Sequence, residues 1–257
     1  MRTMPLQNPQ LDGTTFSFSA GPTGLLLLHG LLATTAEVRP LGERLHAAGF
    51  SVSAPLLPGH GTTVEDLCRR TWLDWAETAG EALESLTRRC ERVVVAGESM
   101  GGMLALLLAA MTPSLSGLIL YAPALRLRSR LALLTPLVRH VLTSVAKNRE
   151  GEDPASIVNQ RWQGYTMDCP AAVAELLALQ RQVRRRLHLV KAPVLILQGR
   201  KDLTLRPEGA QELFQALPND DKELFWFERS THCLLLDEEW ERAVELSAAF
   251  AARVGKP

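Results

Sequence analysis

The 257-residue chain has no excess charge of either sign: 28 Lys and Arg balance 28 Asp and Glu. Without a net field, neither nucleic acid nor an anionic membrane is expected as a partner. No stretch approaches the eighteen or so consecutive apolar residues that a membrane span needs, so stable membrane insertion is not expected either. The start, residues 1–12, has one Arg, two prolines and nothing like the apolar core of a signal peptide, which makes the cytoplasm the expected location. Cysteine is scarce. Cys68, Cys90, Cys169 and Cys233 show neither C-x-x-C nor Cys/His ligand spacing, which argues against a disulfide framework and against a metal site. Cys233 beside His232 is not expected to form a reactive pair, because adjacent side chains on an extended segment point opposite ways. There is no internal repeat and no low-complexity stretch.

What is present is a rhythm. Apolar runs at 24–29, 50–54, 92–96, 117–121, 194–198 and 223–227 alternate with helical patterns at 38–48, 71–89, 100–111, 207–217 and 238–254. This is the pattern of an α/β fold, a mostly parallel twisted sheet with helices on both faces. Trp72 and Trp75 fall on one helical face and are expected to pack into the core. From residue 123 to 188 the rhythm breaks into helical patterns at 131–145, 154–163 and 171–188, with ten arginines between Arg126 and Arg186 and no strand signal. A helical block between two strands reads as a small cap over the carboxyl edge of the sheet, where ligands of open α/β sheets bind. The expected division is a core of 1–122 and 189–257 and a cap of 123–188.

The apolar run Val93-Val94-Val95-Ala96 ends in Gly97-Glu98-Ser99-Met100-Gly101 and turns directly into a Leu- and Ala-rich helical pattern. A Gly-x-Ser-x-Gly between strand and helix is a nucleophile elbow, whose sharp turn needs glycine two residues either side of the serine. It lifts the Ser99 hydroxyl clear of the backbone and makes the Met100 N–H a donor to a developing oxyanion.

A serine hydroxyl attacks at neutral pH only if a histidine takes its proton. His46, His140 and His188 fall on helical patterns, and His29 and His60 sit in Gly-containing loops where they are expected to bond backbone. His232 follows the last strand in a short polar loop and so reaches the same sheet edge as the elbow. Asp202, four residues beyond the run 194–198, is the carboxylate expected to orient it. Glu98 should point away from the serine, Asp168 lies in the cap, and Asp220 and Asp221 precede a strand. A second oxyanion donor is expected from the loop after the first long strand, at the Leu31 N–H.

Taken together, Leu27-Leu28-His29-Gly30, Pro58-Gly59-His60-Gly61, Gly97-Glu98-Ser99-Met100-Gly101-Gly102, Gly199-Arg200-Lys201-Asp202 and Glu228-Arg229-Ser230-Thr231-His232 resemble the α/β-hydrolase superfamily, in particular small bacterial carboxylesterases that grade into monoacylglycerol lipases. The resemblance covers nearly all of the chain past residue 20. It implies an α/β-hydrolase fold with the helical cap after the sixth strand, a triad of Ser99, Asp202 and His232, an oxyanion hole at the Leu31 and Met100 N–H groups, and no cofactor. One departure is visible: Thr231 stands where the family usually has glycine.

The implied activity is a serine carboxylesterase acting on a small, neutral, short- to medium-chain ester. Leu32, Leu131, Leu134, Leu137 and Val138 are the residues expected to line an apolar pocket with few polar anchors. A monoacylglycerol lipase or thioesterase would use the same triad. The reading from another class is a catalytically silent binding protein of the same fold. The oligomeric state is not legible.

Overall fold

The computed structural model describes residues 6–139, 142, 144–146 and 155–256. In chain order the elements are β1 (Phe16–Phe18), β2 (Thr23–Leu28), α1 (Arg39–Ala47), β3 (Ser51–Ala54), α2 (Val64–Leu67), α3 (Trp72–Thr87), β4 (Arg92–Glu98), α4 (Met100–Met111) and β5 (Gly117–Tyr121). An inserted segment follows, with α5 (Thr135–Val138), β6 (Val145–Ala146), α6 (Ile157–Arg161), β7 (Met167–Asp168) and α7 (Pro170–Arg186). The chain then returns to β8 (Val194–Gly199), α8 (Glu208–Ala216), β9 (Lys222–Phe227) and α9 (Trp240–Val254).

Seven strands form one sheet in the order β1-β3-β2-β4-β5-β8-β9, parallel except for β1 at the edge. Strand β2 shows why the sheet is covered on both faces. All six of its residues are buried, and successive side chains go opposite ways. Leu26 and Leu28 join the apolar cluster with Trp75 of α3, Met103 of α4 and Leu179 of α7, whereas Leu25 and Leu27 join the one with Leu41 of α1 and Phe250 of α9. Helix α4 is buried nearly all round because it packs against the sheet, α3 and α7 at once. Helix α1 stops at Gly49, whose φ of +92° is left-handed backbone that glycine adopts without strain. Helix α3 starts from a reciprocal cap, the Thr71 N–H donating to Asp74 Oδ2 at 2.6 Å and the Asp74 N–H to Thr71 Oγ1 at 3.4 Å.

The inserted segment departs from the expected pattern. The helix expected at 131–145 is a 3-10 turn, Arg130–Leu134, followed by the single turn α5. Pro136 lacks an N–H and sits at the start of that turn, where none is needed. Strands β6 and β7 pair antiparallel, Val145 opposite Asp168, where no strand was expected. His140 and the turn-rich stretch 147–154 lie outside the described residues. The segment follows the fifth sheet strand in chain order rather than the sixth. Ahead of β1 the described residues 6–15 add no further sheet strand; they bridge to the insertion instead, the Gln7 N–H donating to the Gly164 carbonyl at 2.9 Å.

The expectation of unpaired cysteines is also overturned: Cys68, just past α2, is bonded to Cys169 at the start of α7. The partners are 101 residues apart and no local spacing announces them. Cys90 and Cys233 are not part of a disulfide. Closing a loop of that length removes unfolded-chain entropy worth about 2–5 kcal/mol. Chemical unfolding with and without a reductant is the check: reduction of the wild type lowers stability by about that amount, and the Cys68→Ser/Cys169→Ser double variant is indifferent to the reductant. Equal stability of wild type and double variant under oxidising conditions contradicts the bridge.

Candidate active site

Ser99 lies between β4 and α4 with φ 55° and ψ −111°, backbone that a residue with a side chain seldom adopts. The surrounding packing leaves it no alternative. A Cβ on Gly97 would run into the Gly101 carbonyl, and one on Gly101 into the Leu28 carbonyl. The turn is pinned from the next strand by the Ser99 N–H donating to the Tyr121 carbonyl at 2.9 Å, and the Ala124 N–H donates to the Ser99 carbonyl at 3.1 Å.

At the same edge of the sheet, His232 Nε2 is 3.0 Å from Ser99 Oγ, and His232 Nδ1 is 2.9 Å from Asp202 Oδ2. The structure thus brings together the three side chains expected to meet. Asp202 is 1% exposed, and an ion that deep needs full hydrogen bonding. Its Oδ1 accepts the Thr204 and Leu205 N–H groups, each at 2.8 Å, and its Oδ2 accepts the Gln198 amide at 3.1 Å. Burial pushes this carboxyl's pKa up, but the His232 charge and hydrogen bond, followed by the Leu205 N–H and the Gln198 amide, bring it below the usual carboxylate range. An ionised Asp202 can only accept, so Nδ1 of the ring carries the proton and Nε2 is left to accept from the Ser99 hydroxyl.

The His232 loop is held by a carboxylate that sequence reasoning missed. Both the N–H and the hydroxyl of Thr231 donate to Asp237 Oδ2 at 2.6 Å. Thr231 is not among the residues with positive φ, so this position does not need glycine. Close approach is instead provided at Gly199, where a Cβ would run into the Ser230 and Thr231 carbonyls.

His29 and His60 bond loop backbone, as expected. The Leu57 N–H donates to His29 Nε2 at 3.1 Å, so the ring proton is on Nδ1, which donates to the Gly30 carbonyl at 2.9 Å. That carbonyl belongs to the same peptide unit as the Leu31 N–H, and the two point in opposite directions in a trans peptide. His29 therefore sets the direction of the Leu31 N–H. Neither that N–H nor the Met100 N–H bonds to another of the described residues. The loop is strapped to the inserted segment by the Tyr165 N–H donating to the Leu32 carbonyl at 2.9 Å and the Thr34 N–H to the Gln163 carbonyl at 3.2 Å.

Comparison with known proteins shows the family. The family described as serine aminopeptidase, S33, matches residues 23–239. The chain belongs to this α/β-hydrolase family. It is 32% identical over 254 residues to the thermostable monoacylglycerol lipase of Bacillus sp. (strain H-257), covering 97% of this chain and 99% of that one. It is 29% identical over 227 residues to a carboxylesterase of Bacillus subtilis (strain 168), covering 87% and 90%. Among solved structures, one from work on the metagenome-derived lipolytic enzymes LipS and LipT superimposes with a TM-score of 0.88 at 27% identity, over 95% of this chain and 99% of that one. The chain is an enzyme of the α/β-hydrolase type.

The hydrolase does not enclose all the residues expected to line its pocket. Leu131, Leu134 and Leu137 are 74%, 50% and 76% exposed, Val138 is half-buried, and only Leu32 is buried. Leu131 and Leu134, three residues apart, share one face of the 3-10 turn, and neither that turn nor α5 buries any of its residues. Leu133, with Leu125 and Leu177, lines a groove of about 690 Å³ beside the 123–128 loop. Its other wall holds five arginines, among them Arg184 and Arg206, so it is far from the expected lining with few polar groups.

Burial lowers the pKa of His29 to about 4 and that of His60 well below its ordinary value. Both are neutral in the fold and take up protons in the unfolded chain first. Their contribution is complete above about pH 6.5, the unfolded value, and is lost as pH falls toward 4. From His29 alone the loss reaches about 3 kcal/mol at the acid end. Urea unfolding at pH 7 and at stepwise lower pH is expected to show stability falling through this window; stability that stays flat to pH 4.5 rules out the neutral buried imidazoles.

Proposed function

We propose that this hydrolase is a serine carboxylesterase acting on neutral short- to medium-chain carboxylic esters through an acyl-enzyme on Ser99. The observation that carries the reading is the unbroken relay Asp202–His232–Ser99, at 2.9 and 3.0 Å, ending on a serine held in an elbow. Ser99 Oγ attacks the ester carbonyl as His232 Nε2 takes its proton. The Leu31 and Met100 N–H groups bind the oxyanion, and His232 then protonates the departing alcohol. Water repeats the two steps on the acyl-enzyme and releases the acid. Asp202 keeps the ring in the accepting tautomer and stabilises its cation. No step calls on a metal or an organic cofactor.

Residues 123–188 act in this reading as a cap on a core of 1–122 and 189–257, and Leu32 flanks the acyl group behind the oxyanion loop. No helix among the described residues is long and apolar enough to cross a membrane. We place the protein in the cytoplasm, where the thiol pool favours the open form of the Cys68–Cys169 pair. A second reading, monoacylglycerol hydrolysis, is favoured by the 32% identity to the Bacillus lipase along essentially the whole chain.

Rates on a p-nitrophenyl ester series and on a monoacylglycerol separate the two. An optimum at short acyl chains, with slow turnover of the monoacylglycerol, supports the esterase, and the reverse order supports the lipase. A fluorophosphonate probe is expected to label the wild type and not Ser99→Ala; labelling that survives the substitution defeats the assignment. His232→Ala and Asp202→Asn should each lower kcat on the order of 10⁴-fold, the latter by favouring the wrong tautomer.

A further inference from the structure

Two buried carboxyls stand behind the site and take no part in the relay. Glu37 is 3% exposed, and its Oε2 accepts the Gly30 N–H at 2.6 Å. Glu98 is fully buried; its Oε1 accepts the Leu235 N–H at 3.3 Å, and its Oε2 has no hydrogen-bond partner among the described residues. Each touches a segment that carries proposed machinery. Gly30 precedes the oxyanion donor Leu31, Glu98 itself precedes Ser99, and Leu235 lies three residues beyond His232. The Cys233 thiol, next to that histidine, is 4.0 Å from Glu37 Oε1.

Gly30 is the most deformable residue of the oxyanion loop, and the peptide units on both sides of it are held by side chains. His29 holds the carbonyl on the Leu31 side, and Glu37 holds the N–H on the other. Nothing about packing alone asks for acids here. Aliphatic side chains would fill the same space without the cost of burying carboxyls, but would leave the Gly30 N–H unsatisfied.

We infer that Glu37 is a positioning residue of the oxyanion hole, its carboxylate fixing Gly30 so that the Leu31 N–H faces the developing charge, while a protonated Glu98 keeps the buried pair singly charged. The inference rests on the esterase reading above. Two like charges in so dry a place do not coexist. Burial, and after it the charge of Glu37, drives Glu98 well above the ordinary carboxylate range and toward the neutral acid. As the neutral acid, Glu98 carries no charge on the oxygen that lacks a partner among the described residues. A negative charge at Glu37 also strengthens its bond from the Gly30 N–H.

The test compares wild type, Glu37→Ala and Glu37→Gln on a short p-nitrophenyl ester, with active sites counted by fluorophosphonate titration so that a misfolded fraction does not enter kcat. A donor displaced by a fraction of an ångström costs on the order of 10- to 100-fold. Glu37→Ala is expected to lose that much in kcat per active site, with KM within about twofold, and to bind a boronic acid transition-state mimic more weakly by the same factor. Glu37→Gln, whose amide oxygen still accepts the Gly30 N–H, should recover most of it. A purely structural role moves the titrated fraction and the melting temperature but not kcat per site, and that result overturns the inference. If the wild type neither labels nor turns over any ester, it is the esterase reading that fails. For the second carboxyl, the infrared band of a protonated carboxylic acid is expected in the wild type at neutral pH and lost in Glu98→Gln; a spectrum unchanged by the substitution overturns the shared proton.

Discussion

Where β4 turns into α4, the Cα of Gly101 packs directly on the Leu28 carbonyl, and that of Gly97 on the Gly101 carbonyl. This contact of backbone on backbone sets Ser99 at φ 55°. Left-handed geometry at a residue with a side chain costs of order 1–3 kcal/mol. The cost is offset by the neighbouring elements, a β4 buried along nearly its whole length and an α4 buried almost all round. The same contact presses the end of β2 against the start of α4. A larger residue at position 101 would part these two segments, which carry the proposed oxyanion donors Leu31 and Met100.

Around that contact the polar groups divide by charge state. Asp202 stays ionised because two N–H groups, an amide and an imidazole converge on it. His29 stays neutral because one of its nitrogens must accept and the other must donate to backbone. In a dry interior each of these states is enforced by the partners supplied, and a change in protonation would break a bond that positions the serine or the oxyanion donor. The proposed proton on Glu98 belongs to the same scheme: one negative charge is kept where a backbone N–H can use it, and the second is removed.

Much of this was readable from residues close together in the chain. Gly97-Glu98-Ser99-Met100-Gly101 names its own geometry, and the apolar runs around it, such as 117–121, coincide with strands of the structure. Asp202 and His232 were legible because each follows a strand that had to end at the elbow's edge of the sheet. What escaped notice depends on distance in sequence or on faint local signals. Cys68 and Cys169 meet across 101 residues without a spacing rule, and Gln198 looked like one more strand residue. Strand β1 has only three residues, too few for an alternation to register. The inserted segment misled because Leu131, Leu134, Leu137 and Val138 imitate an α-helical stripe, while the 3-10 turn and α5 that carry them bury none of their residues. Asp237 reaches Thr231 across a turn with no motif to mark the pairing.

In the proposed mechanism acyl transfer passes through Ser99 within a hydrogen-bonded relay. Its most direct test is to quench the protein with acid during turnover of a p-nitrophenyl ester and map the acyl group by peptide mass spectrometry. One acyl adduct is expected on the peptide containing Ser99, formed as fast as the p-nitrophenol burst and lost at the steady-state rate. Turnover with an adduct on another residue, or with no adduct at any quench time under conditions where a burst is seen, contradicts it.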